Sequence, residues 1–289
     1  MALVNGRVAK LRKGNLLALP SARLHTGRMT QDGSVVAQTN DALCVLRSGP
    51  EATRFGVLDP YAGWFVTPAG ERMYQLASTV DKTFVPYNLA RYVVTTRALA
   101  AAAHARKQIV VLGAGTDCRA LTLPELEDVP VFLVDRAQVG AFRQEVLQRH
   151  GITGPSHIKE VSLDLAREEL PEGLAQAGWD RDAPTLLLAE GVMFYLPNDR
   201  SLRILDPRWL PAGSDLWCDL WSPQRVALLN GATAQALSEP MFHALDLAAL
   251  RSLGWAQLNV TPFERICAEL GHDAPDLAHE GWVAVSASR

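Results

Sequence analysis

The sequence predicts an α/β fold in which helices surround a mostly parallel sheet. Two observations predict it. Short β-branched runs alternate with helical patterns from about residue 88 onward, as in a series of β-α-β units. Several of these runs are apolar throughout and end at a glycine or an acidic residue, which is typical of buried parallel strands. The 289 residues, 48% of them apolar, suffice for one large domain or two small ones.

The first predicted strand is Gln108–Leu112, and a short connection containing proline leads to the second strand at 131–134. After it, Val139, Phe142 and Val146 fall on one helical face. Further strands are expected at 185–189, 215–220, 255–260 and 282–286, and helical stretches near 223–237 and 244–253.

One helix start is marked by sequence alone. Thr261 has the character of a capping residue, Pro262 suits the first helical position and Glu264 the third. We therefore expect a helix to begin at this point, directly after the predicted strand.

The N-terminus differs in composition from the rest of the chain. Residues 1–31 contain six Lys or Arg and no Asp or Glu, as in a transit peptide, an anion-binding arm or a flexible tail. Interleaved leucines favour an extension that packs on the body or covers its site. We assign residues 1–33 to this basic extension and residues 34–289 to one domain, with a helical substrate-side insertion at about 197–250.

Composition excludes several classes of function. A net charge of −3 and a pI near 6.2 argue against nucleic acid as a main partner. Four scattered cysteines and seven scattered histidines show no metal-ligand spacing, and the cysteines suit a reducing cytoplasm. No apolar run approaches the roughly 20 residues of a membrane span, so we expect a soluble protein with no membrane partner. We expect either a monomer or a homodimer.

The chemistry is expected where the predicted strands end. Gly113, Ala114 and Gly115 form the turn after the first strand, and glycine lets the backbone approach a ligand closely. Asp135 follows 20 residues after Gly115, at the end of the second strand, where a carboxylate can accept both hydroxyls of a ribose. Together these residues predict a cofactor that contains adenosine.

Two classes of cofactor fit this arrangement. A dinucleotide site requires a third glycine, which the sequence lacks, and Asp117 stands where a pyrophosphate would lie. A cationic sulfonium would instead face Asp117 and Glu190 favourably. We therefore favour S-adenosylmethionine over NAD.

The segment QIVVLGAGTDCRALTL at 108–123 resembles the signature of the leucine carboxyl methyltransferase-like family, which includes bacterial O-methyltransferases of secondary metabolism. Asp59-Pro60-Tyr61-Ala62, the strand end at 132–135 and LAEGVMFYL at 188–196 are similar to three further motifs of that family. The resemblance covers about residues 34–289. It implies a Rossmann-like class I methyltransferase fold with a seven-stranded sheet, and conversion of S-adenosylmethionine to S-adenosylhomocysteine.

The resemblance also implies a cofactor site. Arg91 would pair with the cofactor's carboxylate, with Arg97 as the alternative, and Asp135 would hold the ribose. Asp164 and Leu165 would lie beside the adenine. The full set of residues expected to bind the cofactor is Arg91, Gly113, Ala114, Gly115, Asp117, Asp135, Arg136, Asp164, Leu165, Glu190 and Gly191. Structural alternatives stay open: Asp117 could simply pair with Arg119, and Asp135 could cap the next helix.

Methyl transfer depends chiefly on alignment of the acceptor. A carboxylate acceptor needs no base, whereas a phenol or alcohol would benefit from one. Tyr195 and His243 are the candidate catalytic residues, and Asp219 is a further candidate base. Apolar residues expected to select a hydrophobic or aromatic small-molecule acceptor are Trp209, Trp217, Trp221, Met241 and Phe242. The alternatives are an NAD(P)-dependent oxidoreductase on the same fold, or a catalytically silent cofactor-binding module.

Overall fold

A seven-stranded sheet with the order β3-β2-β1-β4-β5-β7-β6 organises the computed structural model, which describes residues 35–233, 241–273 and 281–289. Five neighbouring strands are parallel, and β7 runs antiparallel to both β5 and β6. The strands are β1 (Gln108–Leu112), β2 (Val131–Asp135), β3 (Ile158–Ser162), β4 (Thr185–Ala189), β5 (Asp215–Trp221), β6 (Gln257–Pro262) and β7 (Trp282–Ser288).

Helices pack on the sheet, and several of them come before its first strand in the chain. They are α1 (Val35–Ser48), α2 (Pro50–Arg54), α3 (Pro68–Val80), α4 (Phe84–His104), α5 (Arg119–Thr122), α6 (Ala137–Arg149), α7 (Leu170–Gln176), α8 (Asn198–Ile204), α9 (Pro223–Thr233), α10 (Leu247–Arg251) and α11 (Phe263–Glu269). Single 3₁₀ turns lie at Ala62–Phe65, Pro124–Leu126, Met193–Tyr195 and Pro207–Trp209. None of the helices within the described ranges is long and apolar enough to cross a membrane.

The central strands are apolar because both faces of the sheet are covered. Every residue of β1 and of β4 is buried, and one apolar cluster lies on each side of the sheet. These strands are the ones that the sequence predicted from continuous apolar runs, and the parallel α/β architecture is confirmed. Parallel pairing also brings the carboxyl ends of β1, β2, β4 and β5 to one edge.

The strand β3 was not among the predicted strands, and its position at the edge of the sheet explains why. Lys159, Glu160 and Ser162 are exposed, and Val161 is the one fully buried residue. An edge strand of this kind has no continuous apolar run by which it could be detected.

The helix after β6 begins one residue later than the sequence predicted, at Phe263 instead of Pro262. Thr261 and Pro262 still pair with β7 in the antiparallel ladder, and α11 begins at Phe263 without a side-chain cap. Sheet pairing therefore overrides the local capping pattern at this point. The helix predicted near 223–237 is found as α9, and its expected end lies outside the described residues.

In the part of the chain that precedes β1, helix α1 packs along α3 at a very short distance. A Cβ atom on Gly70 of α3 would lie 2.6 Å from the Cβ atom of Asp41 on α1, so only glycine permits this approach. A third apolar cluster joins α1 to α4. The packing fixes α1 beside the carboxyl edge of the sheet, where its residues Thr39 and Asn40 line a cavity.

The described residues form one compact unit. The extension predicted at 1–33 lies outside the described residues, and its role stays a prediction. The expected substrate-side insertion at 197–250 contains α8, α9 and α10, but it also contains the central strand β5.

Candidate functional site

A cavity of about 560 Å³ opens at the carboxyl edge of the sheet. The residues on one side of it belong to the turns after β1, β2, β3 and β4. Among these residues are Gly113, Gly115, Asp135, Arg136, Asp164, Leu165, Glu190 and Gly191. Arg91 of α4 also lines it. The structure thus brings together nine of the eleven residues that the sequence assigned to cofactor binding.

The glycine turn after β1 has backbone angles that favour glycine. Gly113 and Gly115 have φ values of +59° and +51°, in the left-handed region. The N–H of Gly115 donates to Asp135 Oδ2 at 2.7 Å, and its carbonyl accepts from the buried guanidinium of Arg143. Both peptide groups of Gly115 are therefore held, and the turn is preorganised beside the cavity.

Asp135 retains capacity to bind a ligand although it also fixes the turn. Its Oδ2 accepts from Gly115, and its Oδ1 accepts from the N–H of Arg136 at 2.8 Å. A carboxylate offers about four lone-pair sites. Two sites thus remain for the hydroxyls of a ribose in the cavity that Asp135 lines.

Asn40 is a site residue that the sequence did not reveal. Its Oδ1 accepts from Thr116 Oγ1 at 3.3 Å, while its buried Nδ2 has no partner among the described residues. A Cβ atom on Gly115 would lie 2.4 Å from Asn40 Oδ1, so the amide lies directly against the glycine turn. No motif pointed to Asn40, because it lies about 70 residues before the turn and only tertiary packing joins them.

Arg91 is buried in the cavity wall, at 3% exposure, whereas Arg97 on the same helix is exposed. Arg91 Nη1 donates to Asp219 Oδ2 at 3.0 Å, and its Nε lies 3.4 Å from Glu190 Oε1. A Cβ atom on Gly191 would lie 3.0 Å from Nη2, and no described residue accepts from that nitrogen. Arg91 can therefore bind a ligand carboxylate through Nη2, and Arg97 cannot.

Glu190 and Asp117 share the buried guanidinium of Arg119. Arg119 Nη2 lies 2.7 Å from Glu190 Oε2 and 2.6 Å from Asp117 Oδ2, and Thr95 Oγ1 donates to Glu190 at 2.7 Å. Burial has the largest single effect and would raise the pKa of both acids, but Arg119 together with a second arginine, Arg91 for Glu190 and Arg47 for Asp117, lowers each pKa below its ordinary value. Both acids are therefore ionised at neutral pH.

These groups form a buried ion-pair cluster with a formal negative charge next to the cavity, which Arg91 and Glu190 line. The three carboxylates are Asp117, Glu190 and Asp219, and two guanidinium groups, Arg91 and Arg119, face them. The sum is −1, which favours a cationic ligand in the adjacent space.

Two predicted cofactor residues lie outside the cavity lining. Ala114 is buried, and its N–H donates to Val134 O at 3.1 Å. Asp117 binds Arg119 through three contacts of 2.6–3.0 Å. Direct contact of Asp117 with a sulfonium is therefore not supported, and the alternative pairing with Arg119 is the one observed.

The other side of the cavity is apolar and aromatic. It is lined by residues of α3, α4, α9 and the segments after β4 and β5: Met73, Leu76, Ala77, Val80, Asp81, Phe84, Asn88, Val192, Phe194, Tyr195, Leu196, Trp221, Arg225, Leu229, Met241, Phe242 and Trp282. We call this side the acceptor half. Of the five residues predicted to select an acceptor, Trp221, Met241 and Phe242 lie here, whereas Trp209 and Trp217 do not.

Tyr195 lies in the acceptor half, but its ionisation is unfavourable. Burial raises the pKa of its phenol to about 12, against a smaller opposite effect of a hydrogen bond with Thr39. The phenol is therefore protonated at neutral pH, so Tyr195 can donate a hydrogen bond and cannot act as a general base.

The positions of Asp219 and His243 do not support a role for either residue as a general base. Asp219 is fully buried and accepts from Arg91, from the N–H of Gly191 at 2.6 Å and from Trp282 Nε1 at 2.8 Å. It anchors the turn after β4. His243 is not among the residues that line the cavity, so its position does not support the predicted catalytic role.

The remaining acids of the cavity are also engaged. Asp81 pairs with Arg225, and Asp164 accepts from the N–H of Ala166 at 3.0 Å. In the described ranges, no group of three His, Cys, Asp or Glu residues is arranged to hold a metal ion. Within the same ranges, the acceptor half contains no carboxylate or imidazole that is free to take up a proton.

Known proteins are similar to this chain in sequence. The family model of leucine carboxyl methyltransferase matches residues 51–207. A Mycobacterium ulcerans protein, provisionally named an S-adenosyl-L-methionine-dependent methyltransferase, is 32% identical over 250 residues, which cover 81% of this chain and 77% of that protein. A Mycobacterium tuberculosis protein with the same provisional name is 38% identical over 161 residues, 51% of this chain and 53% of that one.

The fold is found in solved structures as well. A crystal structure from Thermobifida fusca, provisionally titled a methyltransferase, aligns with a TM-score of 0.60 at 17% identity and covers 88% of this chain and 94% of that one. A Streptomyces avermitilis protein of family duf574 aligns with a TM-score of 0.55 at 16% identity, over 85% of this chain and 99% of that one. At these identities the likeness concerns the fold.

Proposed function

The chain belongs to the leucine carboxyl methyltransferase family and is an S-adenosylmethionine-dependent methyltransferase; from this premise we propose that it methylates a carboxylate oxygen of a small hydrophobic acid. One observation carries the proposal. Among the described residues, the acceptor half holds no free base, whereas its walls are apolar and aromatic. A carboxylate is the oxygen nucleophile that needs no base at neutral pH.

The other side of the cavity, formed by the turns after β1, β2, β3 and β4 and by Arg91, is called the cofactor half, and its residues fit the cofactor. When bound, S-adenosylmethionine supplies a methyl group on a positively charged sulfur, and methyl transfer leaves S-adenosylhomocysteine. Asp135 offers two unused lone-pair sites for the ribose, and Arg91 Nη2 offers a donor for the carboxylate of the methionine portion. The formal charge of −1 around Glu190 complements the positive sulfur.

The chain contributes mainly orientation. In-line displacement requires the attacking oxygen near contact distance and aligned with the bond that breaks, and holding reactants this way supplies much of the rate enhancement. The acceptor half is built for this task, because Phe194, Trp221 and Phe242 pack against one another with ring centroids 3.7–6.3 Å apart. Such a packed wall restricts the positions that a bound acid can take.

The apolar lining selects the rest of the acceptor. Leu76 and Val80 of α3 line the cavity and remain 58% and 59% exposed, so an apolar wall continues to the cavity mouth. A hydrophobic acid would bury its apolar part there, with a stabilisation of roughly 25 cal/mol per Å² of area buried. The resemblance to bacterial O-methyltransferases of secondary metabolism supports a small molecule as acceptor.

The experiment compares matched acids and alcohols. The full chain is incubated with S-adenosylmethionine and with decanoate, 4-phenylbutanoate, decanol or 4-phenylbutanol, and products are analysed by mass spectrometry. We expect methyl esters from the acids and no ethers from the alcohols. Ethers without esters would contradict the proposal. Binding of S-adenosylhomocysteine without turnover of any acid would favour a silent cofactor-binding module instead.

A further inference from the structure

The indole N–H of Trp221 has no partner among the described residues, whereas those of the similarly buried Trp179, Trp255 and Trp282 each have one. Four tryptophans donate their indole N–H to a protein oxygen at 2.8–3.1 Å: Trp179, Trp209, Trp255 and Trp282. Trp221 is 9% exposed, and its Nε1 meets no acceptor in the described part of the chain. A buried donor without a partner is costly and calls for an explanation.

The ring of Trp221 is fixed in place. Phe194 stacks on it with a centroid distance of 3.7 Å and an interplanar angle of 7°, and the guanidinium of Arg225 lies 5.0 Å from its centroid. Phe242 and Trp282 pack against it at 5.0 and 5.7 Å. The ring therefore cannot turn to find another partner without breaking this packing.

Trp221 belongs to the acceptor half, at the carboxyl end of β5. An indole N–H can only donate, so its partner must be a hydrogen-bond acceptor such as an oxygen atom. The nearby protein carboxylates are already engaged, since Asp81 pairs with Arg225 and Asp219 with Arg91. Because Trp221 lines the cavity, a ligand bound there is the partner that remains for this donor.

The surroundings favour an anionic oxygen. The guanidinium of Arg225 covers the rings of both Trp221 and Trp282, at 5.0 and 4.9 Å from their centroids. The guanidinium makes the indole N–H a stronger hydrogen-bond donor toward a negative oxygen, while Asp81 balances the charge of Arg225 itself. Tyr195 is a second hydrogen-bond donor of the acceptor half. It packs against Phe242, which also packs against Trp221, and the ring centroids of Tyr195 and Phe242 are 5.5 Å apart.

From this geometry we infer that Trp221 binds the methyl acceptor itself: its indole N–H donates to the carboxylate oxygen that does not attack the methyl group. The inference rests on the proposed carboxylate acceptor and adds the residue that orients it. Holding one oxygen on Trp221 leaves the other free to form the new bond to carbon, while the bond from carbon to sulfur breaks and the electron pair stays on sulfur. No proton moves in this step.

The test uses NMR of the full chain with ¹⁵N-labelled indoles and with S-adenosylhomocysteine bound. The chain contains seven tryptophans, and the Trp221 signal is identified as the one that Trp221→Phe removes. Decanoate serves as the probe and decanol as its uncharged control. We expect decanoate to move the Trp221 indole proton downfield and decanol not to do so. An unmoved Trp221 signal, with or without binding of decanoate, overturns the inference.

Two matched variants distinguish a loss of decanoate binding from a loss of stability. Trp221→Phe keeps an aromatic ring at this position but removes the unpaired donor and part of the buried indole, so we expect roughly tenfold weaker decanoate binding and a lower Tm, with unchanged affinity for S-adenosylhomocysteine. Trp209→Phe removes a donor that is paired with Ile204 O at 3.0 Å, outside the cavity. It should lower the Tm and leave decanoate binding unchanged.

The outcomes distinguish the inference from the proposed function. If the wild type binds decanoate and Trp221→Phe binds it equally well, the inference fails and the proposed function stands. If the wild type binds decanol as tightly as decanoate, the carboxylate specificity fails and the inference fails with it.

Discussion

Asp135 accepts a hydrogen bond from the backbone N–H of Gly115 at 2.7 Å. The acid that the sequence assigned to the ribose thus also holds the glycine turn on the neighbouring strand. The two parts of the predicted cofactor site are therefore one physical unit, because the parallel register of β1 and β2 brings their carboxyl ends together.

This relationship predicts the effect of Asp135→Ala. The change removes the ribose acceptor and releases the turn, so we expect affinity for S-adenosylhomocysteine to fall by about 1–3 kcal/mol. Isothermal titration calorimetry measures it, with circular dichroism to establish that the variant folds. Asp135→Asn retains one carbonyl oxygen for Gly115 and should bind with intermediate affinity. Wild-type affinity in a folded Asp135→Ala variant would contradict the placement of the ribose.

Asn40 should contribute to the same binding. Asn40→Leu removes the unpartnered Nδ2 next to the glycine turn, and we expect affinity for S-adenosylhomocysteine to fall by about 1 kcal/mol. Stability should change little, since the lost amide made one hydrogen bond of 3.3 Å. Gln144→Leu, which removes an exposed amide outside the cavity, is the control. Equal affinities of the two variants would remove Asn40 from the cofactor site.

Glu190 should distinguish the charged cofactor from its neutral product. Glu190→Gln removes a buried negative charge from the cavity wall. Because S-adenosylmethionine carries a positive sulfur and S-adenosylhomocysteine does not, the variant should lose more affinity for the former. Calorimetry with both ligands gives the ratio. An unchanged ratio would show that Glu190 does not act on the sulfonium.

Asp41 should make stability depend on pH. Burial raises the pKa of this carboxyl from 3.8 to about 6, against a smaller opposite effect of its hydrogen bond with Thr67. The folded state therefore binds a proton more tightly than the unfolded state. The resulting stabilisation is complete below pH 3.8 and is lost as the pH rises through about 6.

The variant Asp41→Asn tests this sign. Relative to the variant, the wild type should lose about 2 kcal/mol in free energy of unfolding between pH 4 and pH 7. Urea denaturation at both pH values measures the difference, with the exposed-site variant Asp128→Asn as a baseline. A wild type that gains stability relative to Asp41→Asn over this range would contradict the direction.

The proposed carboxylate acceptor also predicts a flat pH profile. A carboxylic acid with a pKa near 4 is ionised throughout pH 6–9, and the described residues of the acceptor half include no free base whose titration would limit the rate. The rate of ester formation should therefore stay constant over this range, as measured by release of S-adenosylhomocysteine. A rate that rises tenfold per pH unit would indicate an acceptor that must lose a proton.

The sequence by itself determined the α/β class, the central strands and most of the residues that line one side of the cavity. Those features depend on local signals: apolar runs, a glycine turn and an acid at a fixed spacing. It did not indicate β3, because an edge strand with exposed Lys159 and Glu160 has no apolar run.

Tertiary structure decided which polar groups are free to act. Asp117 and Asp219 look like functional acids in sequence, yet Arg119 and Arg91 engage them. Asn40 belongs to no motif, and Trp221 was predicted only as an apolar wall residue, yet each has a buried donor without a partner among the described residues. Whether a polar group is satisfied depends on neighbours that are distant in the chain, such as Asp219 at 128 residues from Arg91, and no local pattern encodes that pairing.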